Sequence, residues 1–358
     1  MEVTVVGGGL VGCASALALA DAEANVTLIA AYRAGAASAA GAGMLAASIE
    51  EARTQLRDIA ETARDRFPAY VEQIRDRSGR AIHLDRSGLL QVALTDGQAE
   101  EFRAAIRGAG VWLSPAELRD VEPALAPARG AALWPDDGTV DNVELLAALD
   151  WLVEHHPRIQ LLRGAASGID AGKRHTAVTL EDGTVVTAGT TVLAAGAWAS
   201  TIAGAGRAAV IEPVRGQLVA LGDAGLRHPV FGSDGYLVPR PGCTVAGTTM
   251  EYVGFDAATT PEAANGIAAA ARALCPALSG PAARTWAGLR PVTPDLLPLI
   301  GRDPEKPALI YACGHSRNGI LLAPLTGEIV KALVFEESLT FDISQFDPAR
   351  FPGRFTTK

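Results

Sequence analysis

A chain of 358 residues, 49% hydrophobic and 20% charged, is too long for one small core and too apolar to remain disordered. Its formal net charge of −9 argues against nucleic acid as the main partner, because phosphate binding needs a basic surface. A small anionic substrate is not excluded, since one pocket can be positive on an acidic protein.

Residues 2–6 form a short β-branched run. Gly7-Gly8-Gly9-Leu10-Val11-Gly12 follows, then an Ala- and Leu-rich helix over 10–24 and an apolar strand from Asn25 to Ala30. This βαβ unit is the setting in which Gly7-x-Gly9-x-x-Gly12 reads as a dinucleotide site. Gly7 permits the tight turn, Gly9 lets backbone approach a pyrophosphate, and Gly12 lets helix and strand pack closely. The helix start at Leu10 and Val11 would then offer N–H groups and a partial positive charge to the phosphates. The acidic residue expected after the second strand, to hold the adenosine ribose, is missing. Ala30-Ala31-Tyr32-Arg33 stands there, leaving that contact to Arg33 or to backbone.

The opening strand lacks a basic n-region, so no secretory signal peptide is expected, and no run of roughly 18 apolar residues suggests a membrane helix. Cys13, Cys243, Cys275 and Cys313 form no CxxC pair and read as buried thiols of a cytoplasmic protein, with no metal site. A small-residue loop spans Ala34 to Ala47, followed by a charged helix from Ile49 to Arg77. Short strands and helices fill Gly88 to Leu133. The stretch Asp141 to Glu154 reads as a helix capped by Asp141, with Leu145, Leu146, Leu149, Leu152 and Val153 on one stripe. Gln160–Leu162, Ala177–Leu180 and Val185–Thr187 read as strands, with a hairpin turn at Glu181-Asp182-Gly183. A buried strand ends at Trp198, antiparallel strands and a helix over Pro261–Leu274 occupy 211–285, and strand, glycine turn and helix return over 308–335. The expected fold is α/β: a Rossmann-like nucleotide-binding domain from residues 1–85, 140–210 and 288–358, with an inserted, mainly antiparallel α+β substrate domain from 86–139 and 211–287.

The later stretches are more specific. Trp286-Ala287-Gly288-Leu289-Arg290-Pro291, Leu299-Ile300-Gly301-Arg302 and Cys313-Gly314-His315-Ser316-Arg317-Asn318-Gly319-Ile320-Leu321-Leu322-Ala323-Pro324 stand near the C-terminal end. With the first glycine motif, Gly41-Ala42-Gly43-Met44-Leu45 and Leu193-Ala194-Ala195-Gly196-Ala197-Trp198, they resemble the glycine oxidase branch of the D-amino-acid oxidase family over nearly the whole chain. The resemblance implies FAD and oxidation of an amine by hydride transfer to flavin N5. It implies that Arg290 clamps a substrate carboxylate, that Tyr236 and Arg317 line the pocket, and that Met250 lies near it. It places Gly7, Gly9, Leu10, Val11, Gly12, Arg33, Ser38, Gly43, Met44, Ala195, Gly196 and Trp198 at the cofactor, with Gly314, His315, Arg317, Asn318, Gly319 and Ile320 from the last turn. No cysteine lies between Cys275 and Cys313, so the FAD is expected to be non-covalent. Ser316 stands where the glycine oxidase pattern has a bulky aromatic, which leaves room for a larger N-substituent.

The chemistry of the residues agrees. A planar guanidinium matches a carboxylate in two parallel hydrogen bonds. Against this stand plainer roles: an ion-pair arginine for Arg290, a sheet-packing aromatic for Tyr236 and a carbonyl-binding turn residue for Arg317. His315 reads as a structural hydrogen-bonding residue rather than a base, and no catalytic acid–base pair is expected. The helix after Gly314–Gly319 would stabilise negative charge on reduced flavin. The expected function is an oxidase of glycine or an N-substituted glycine using O₂, with a homo-oligomer left open. Two other classes stay open as well. One is a dehydrogenase passing electrons to a quinone or protein, although no membrane-binding amphipathic helix is evident. The other is a nicotinamide-dependent reductase or a binding protein of the same fold, although NAD recognition lacks its usual acid.

Overall fold

In the computed structural model, residues 1–50 and 55–353 are described. A six-stranded sheet runs in the order Leu299–Arg302, Leu309–Cys313, Thr190–Leu193, Glu2–Val6, Asn25–Ala30, Ile159–Arg163, parallel except for its first pair. Its strands are apolar on both faces, as a parallel sheet requires. Val5, Leu28, Val192 and Ile310 face one core with the helices Leu10–Asp21, Arg57–Ser78, Asn142–His155 and Ala323–Phe335. Val6, Ile29, Leu193 and Tyr311 face a second core under a three-stranded sheet, Ala166–Ala171, Thr176–Leu180 and Val185–Ala188. Asp141 caps its helix as expected, accepting from Val143 N and Glu144 N at 3.0 Å each.

The second large sheet has eight strands, in the order Arg284–Val292, Glu212–Leu221, Cys243–Gly247, Gly235–Arg240, Val230–Gly232, Leu89–Ala93, Gly130–Trp134, Val111–Leu113. One face packs Val219, Leu237 and Ala246 against Ile267, Ala271 and Leu274 of the helix Pro261–Leu274. Side chains alternate along a strand, so Leu218, Tyr236, Val238 and Val245 lie on the other face, with Met44 and Trp286 packed on them. That face turns toward the small-residue loop.

Ile159–Arg163, expected only as a strand, extends the parallel sheet beside Asn25–Ala30. The hairpin's neighbour is Ala166–Ala171, whose ASGIDA sequence hides its strand character behind small and polar residues. The helix expected from Ile49 is a short turn at Ala47–Glu50 and a separate helix at Arg57–Ser78, while residues 51–54 lie outside the described ones. Residue 288, the expected domain boundary, falls inside the strand Arg284–Val292. Among the described residues no helix is long and apolar enough to cross a membrane.

The first glycine motif depends on backbone meeting backbone. A Cβ on Gly12 would lie 1.7 Å from Gly7 O, and one on Gly7 would lie 2.3 Å from Ala194 O. Neither obstacle can swing aside as a side chain can. Gly12→Ala is therefore expected to destabilise the protein by about 3 kcal/mol, the upper end for overpacking. A guanidinium unfolding midpoint equal to the parent's would refute this close packing.

Candidate active site

A long cleft, about 1390 Å³ including its open mouth, runs along the C-terminal edge of the parallel sheet. Ligands bind at that edge in open α/β sheets. At its start lie Gly7, Gly9 and Val11, where the helix Leu10–Asp21 begins. The first intrahelical bond is Cys13 N to Gly9 O at 2.9 Å, so the amides before it belong to the helix's unpaired first turn. No acidic side chain occupies that turn, and Ser38 Oγ accepts from Leu10 N at 3.1 Å. This combination of glycine backbone, helix N-terminus and adjacent hydroxyl suits a pyrophosphate. At the other side of the motif, Arg33 lines the cleft and pairs with Glu181 at 2.9 Å, both partly exposed. Beside the exposed Ala31, this pair supplies the charged groups at the end of the strand Asn25–Ala30.

The far end of the cleft is lined by Arg290, Ser316, Arg317 and Ile320. There it meets a smaller cavity of about 590 Å³, bounded by Met44, Gly216, Leu218, Tyr236, Thr248 and Gly288. Arg290, Arg317 and Ile320 line both spaces, as do Ala37 and Gly41. The Arg290 guanidinium donates to Thr248 Oγ1 at 2.9 Å and to Thr249 O at 3.2 Å, which fixes its plane. Those two threonines are held in turn. Gln217 N donates to Thr249 Oγ1 at 2.9 Å, Thr248 Oγ1 reaches Gln217 O at 3.1 Å, and Thr249 Oγ1 donates to Glu251 Oε1 at 2.5 Å. Glu251 pairs with Arg215 at 2.5 Å. Burial raises the Glu251 pKa, but hydrogen bonds from Arg215, Thr249 and Gln217 outweigh it and leave it below the usual value.

The small-residue loop crosses the junction. Trp286 Nε1 donates to Ala40 O at 2.9 Å, and Arg240 Nη2 donates to Ala42 O at 2.9 Å and Val140 O at 2.8 Å. Gly43, at φ 78°, accepts from Val140 N at 2.9 Å, and a Cβ there would meet Val140 O at 1.8 Å.

His315 is buried at the turn. Thr326 Oγ1 donates its one proton to Leu322 O, so the 3.0 Å contact between His315 Nε2 and Thr326 Oγ1 assigns the imidazole proton to Nε2. Burial pushes its pKa down to about 4, which keeps the ring neutral.

Most residues expected at the cofactor line the cleft: Gly7, Gly9, Val11, Arg33, Ser38, Ala195, Gly196, Trp198, His315, Arg317, Gly319 and Ile320. Gly43 and Met44 line the smaller cavity instead, together with Tyr236. Leu10, Gly12, Gly314 and Asn318 line neither. Leu10 is in the core, and a Cβ on Gly314 would strike Thr293 Cγ2 at 2.7 Å, so these residues shape the turns. Met250 is not brought to the pocket; it is 53% exposed. Thr249 and Glu251 turn inward to the Gln217 and Arg215 network, and alternation along that extended segment turns Met250 outward. Thr248, Thr249, Gln217 and Arg240 had no motif to mark them, because their roles come from strand pairing.

A glycine-rich helix start suited to a pyrophosphate, on a cleft that ends at an oriented arginine, is the geometry of a dinucleotide-binding α/β protein. The chain belongs to the DAO family of FAD-dependent oxidoreductases, whose family profile, described as FAD dependent oxidoreductase, matches residues 2–333. It is 33% identical to the glycine oxidase of Geobacillus kaustophilus (strain HTA426), over 99% of this chain and 98% of that protein. A crystal structure of glycine oxidase from Geobacillus kaustophilus superposes with a TM-score of 0.90 at 31% identity, covering 98% of this chain and 99% of that one. The bifunctional protein ThiO/ThiG of Synechocystis sp. (strain ATCC 27184 / PCC 6803 / Kazusa) is 34% identical over 98% of this chain, which spans 54% of that protein. The cofactor is FAD, and the protein is an amine or amino-acid oxidoreductase of glycine oxidase type.

The depressed pKa of His315 has a stability consequence. Its stabilising contribution is present above the unfolded value of about 6.5 and is lost as pH falls toward 4, about 3 kcal/mol in all. His315→Gln keeps a donor for Thr326 without the acid-titrating ring. Urea midpoints measured between pH 7 and pH 4 should fall less steeply for the variant; parallel pH dependences would contradict the assignment.

Proposed function

We propose that the protein oxidises the C–N bond of glycine or an N-substituted glycine, with O₂ as electron acceptor. FAD, held non-covalently along the cleft by the helix start at residues 7–11 and the turn at residues 315–320, would supply the two-electron acceptor chemistry, with O₂ as the final oxidant and hydrogen peroxide as its product. The imine product hydrolyses to an oxo acid and an amine, which for glycine are glyoxylate and ammonia. A cytoplasmic location belongs to the same reading.

The position of Arg290 carries this proposal. Its guanidinium lines both the cleft and the smaller cavity and is oriented by Thr248 and Thr249. A carboxylate paired with it sits where the two spaces meet, gaining charge-assisted hydrogen bonds in a partly dry site. Tyr236, 9% exposed, forms part of the wall of that cavity.

The lining also bears on the substrate amine. Among the described residues around the smaller cavity are Arg290 and Arg317, and no Asp, Glu or His. An ammonium group there meets like charge, which favours the neutral amine. Only the neutral amine has a lone pair to support loss of hydride from the adjacent carbon. The proton therefore leaves before oxidation, and the site needs no general base within reach of the carbon.

One observation favours the bulkier substrates within this class. Ser316, at φ 49° and buried, lines the cleft beside Arg290 and Arg317. A serine at this point leaves space that a large aromatic would fill. A panel of glycine, sarcosine and longer N-alkylglycines, followed by anaerobic bleaching of the flavin and by peroxide release, ranks the substrates. No bleaching by any of them would end the proposal, and bleaching without reoxidation in air would make the enzyme a dehydrogenase.

Arg290→Leu leaves the substrate carboxylate without its partner, at about 2–5 kcal/mol. At about 1.4 kcal/mol per tenfold, kcat/KM for the best amine falls by roughly thirty- to several-thousand-fold, with flavin content unchanged. Unchanged kcat/KM would remove Arg290 from the substrate site.

A further inference from the structure

Two glycines on the site face of the eight-stranded sheet are not required by their own backbone. Neither Gly216 nor Gly247 has a positive φ, so φ alone admits a side chain at either position. What excludes a side chain is the neighbouring space. A Cβ on Gly216 would lie 2.1 Å from Arg290 Nη1, 2.4 Å from Nη2 and 2.5 Å from Cζ, its three nearest atoms. A Cβ on Gly247 would lie 2.7 Å from Tyr236 Oη and 2.8 Å from Cζ. Each glycine thus lies under a group that lines the smaller cavity.

The sheet register explains the first contact. Arg290 pairs with Val214, and Gly216 pairs with Gly288, so Gly216 is the diagonal neighbour of Arg290 on the same face. A diagonal neighbour is within reach of a long side chain. The Arg290 side chain lies across Gly216, and its guanidinium bonds to Thr248 Oγ1 and Thr249 O. It is held between bare backbone on one side and the threonine segment on the other.

We infer that Gly216 is a positioning residue for substrate binding: its missing side chain is the seat on which the Arg290 guanidinium is held to receive a carboxylate. The inference rests on the carboxylate role of Arg290 proposed above. The nearest atoms to a methyl group at this position all belong to the far end of a flexible arginine, so the arginine moves and the strand stays. Arg215 and Gln217, on either side, keep the strand in place through Glu251 and Thr249. The effect should therefore appear in substrate binding rather than in folding or cofactor retention.

The test uses the FAD-loaded protein and acetate, the simplest carboxylate, titrated against the flavin absorbance spectrum. Gly216→Ala is expected to raise the acetate Kd by about ten- to a hundredfold, the effect of disturbing hydrogen bonds to a charged group. KM for the amine substrate should rise by a similar factor, with kcat changed much less, while flavin content and melting temperature match the parent. Arg290→Leu, measured alongside, should weaken acetate binding at least as much. If Arg290→Leu weakens acetate binding and Gly216→Ala does not, the seat is refuted and the clamp stands. If the parent and Arg290→Leu show the same acetate response, present or absent, the clamp fails and the seat falls with it. If Gly216→Ala loses flavin or melts well below the parent, the glycine serves the sheet and the inference is overturned.

Discussion

The loop from Gly35 to Met44 has too few side-chain atoms to pack itself, and the site exists because others satisfy its carbonyls. Gly35 O accepts from Leu289 N at 2.8 Å, Ser38 O from Asn142 Nδ2 at 2.8 Å, Ala40 O from Trp286 Nε1 and Ala42 O from Arg240. Three of these donors come from the antiparallel sheet and one from a helix on the parallel sheet. A buried carbonyl left unpaired costs about 1–3 kcal/mol, so the donors hold the loop in one place. Small residues then let it run close under the junction of the two cavities. A bulkier loop would hold itself better and fill the space that the chemistry uses.

The electrostatics divide the same way. The exposed Arg33–Glu181 pair, with side chains 35% and 61% accessible, is screened by solvent and contributes little stability. Arg215, 6% accessible, satisfies its guanidinium on Glu251 and Asp256, and that arrangement fixes the segment carrying Thr248 and Thr249. Charge in this network orients Arg290, while charge at the Arg33 end of the cleft stays in water. His315 remains uncharged between them, so the helix that follows the turn acts without a nearby cationic imidazole.

Much of this was legible in the sequence because it is written locally. The glycine fingerprint, the Asp141 cap and the helix Pro261–Leu274 each follow from adjacent residues, and the structure has all three. Arg290 was legible through the family resemblance that the WAGLRP stretch carries. What was illegible depends on pairing between distant segments. Ile159–Arg163 reads the same whether it joins a hairpin or a parallel sheet, and only its contact with Asn25–Ala30 decides. The resemblance put Met250 near the pocket, yet the bridge between Arg215 and Glu251 sets which way it points. Gly216 had no motif of its own, and its importance appears only when the register brings Arg290 across it.

The strand Arg284–Val292 is matched to Glu212–Leu221 over nine residue pairs, with Arg290 near one end of that ladder. A ladder of that length cannot bend at its middle without giving up several hydrogen bonds at once. Arg290 is thus fastened to a stiff plank that also carries Trp286 and, through it, the loop under the junction. Trp198, which lines the cleft, meets Phe255 at 5.7 Å on the exposed segment after Thr249. Arg290 and the loop that Trp286 holds thus share one register.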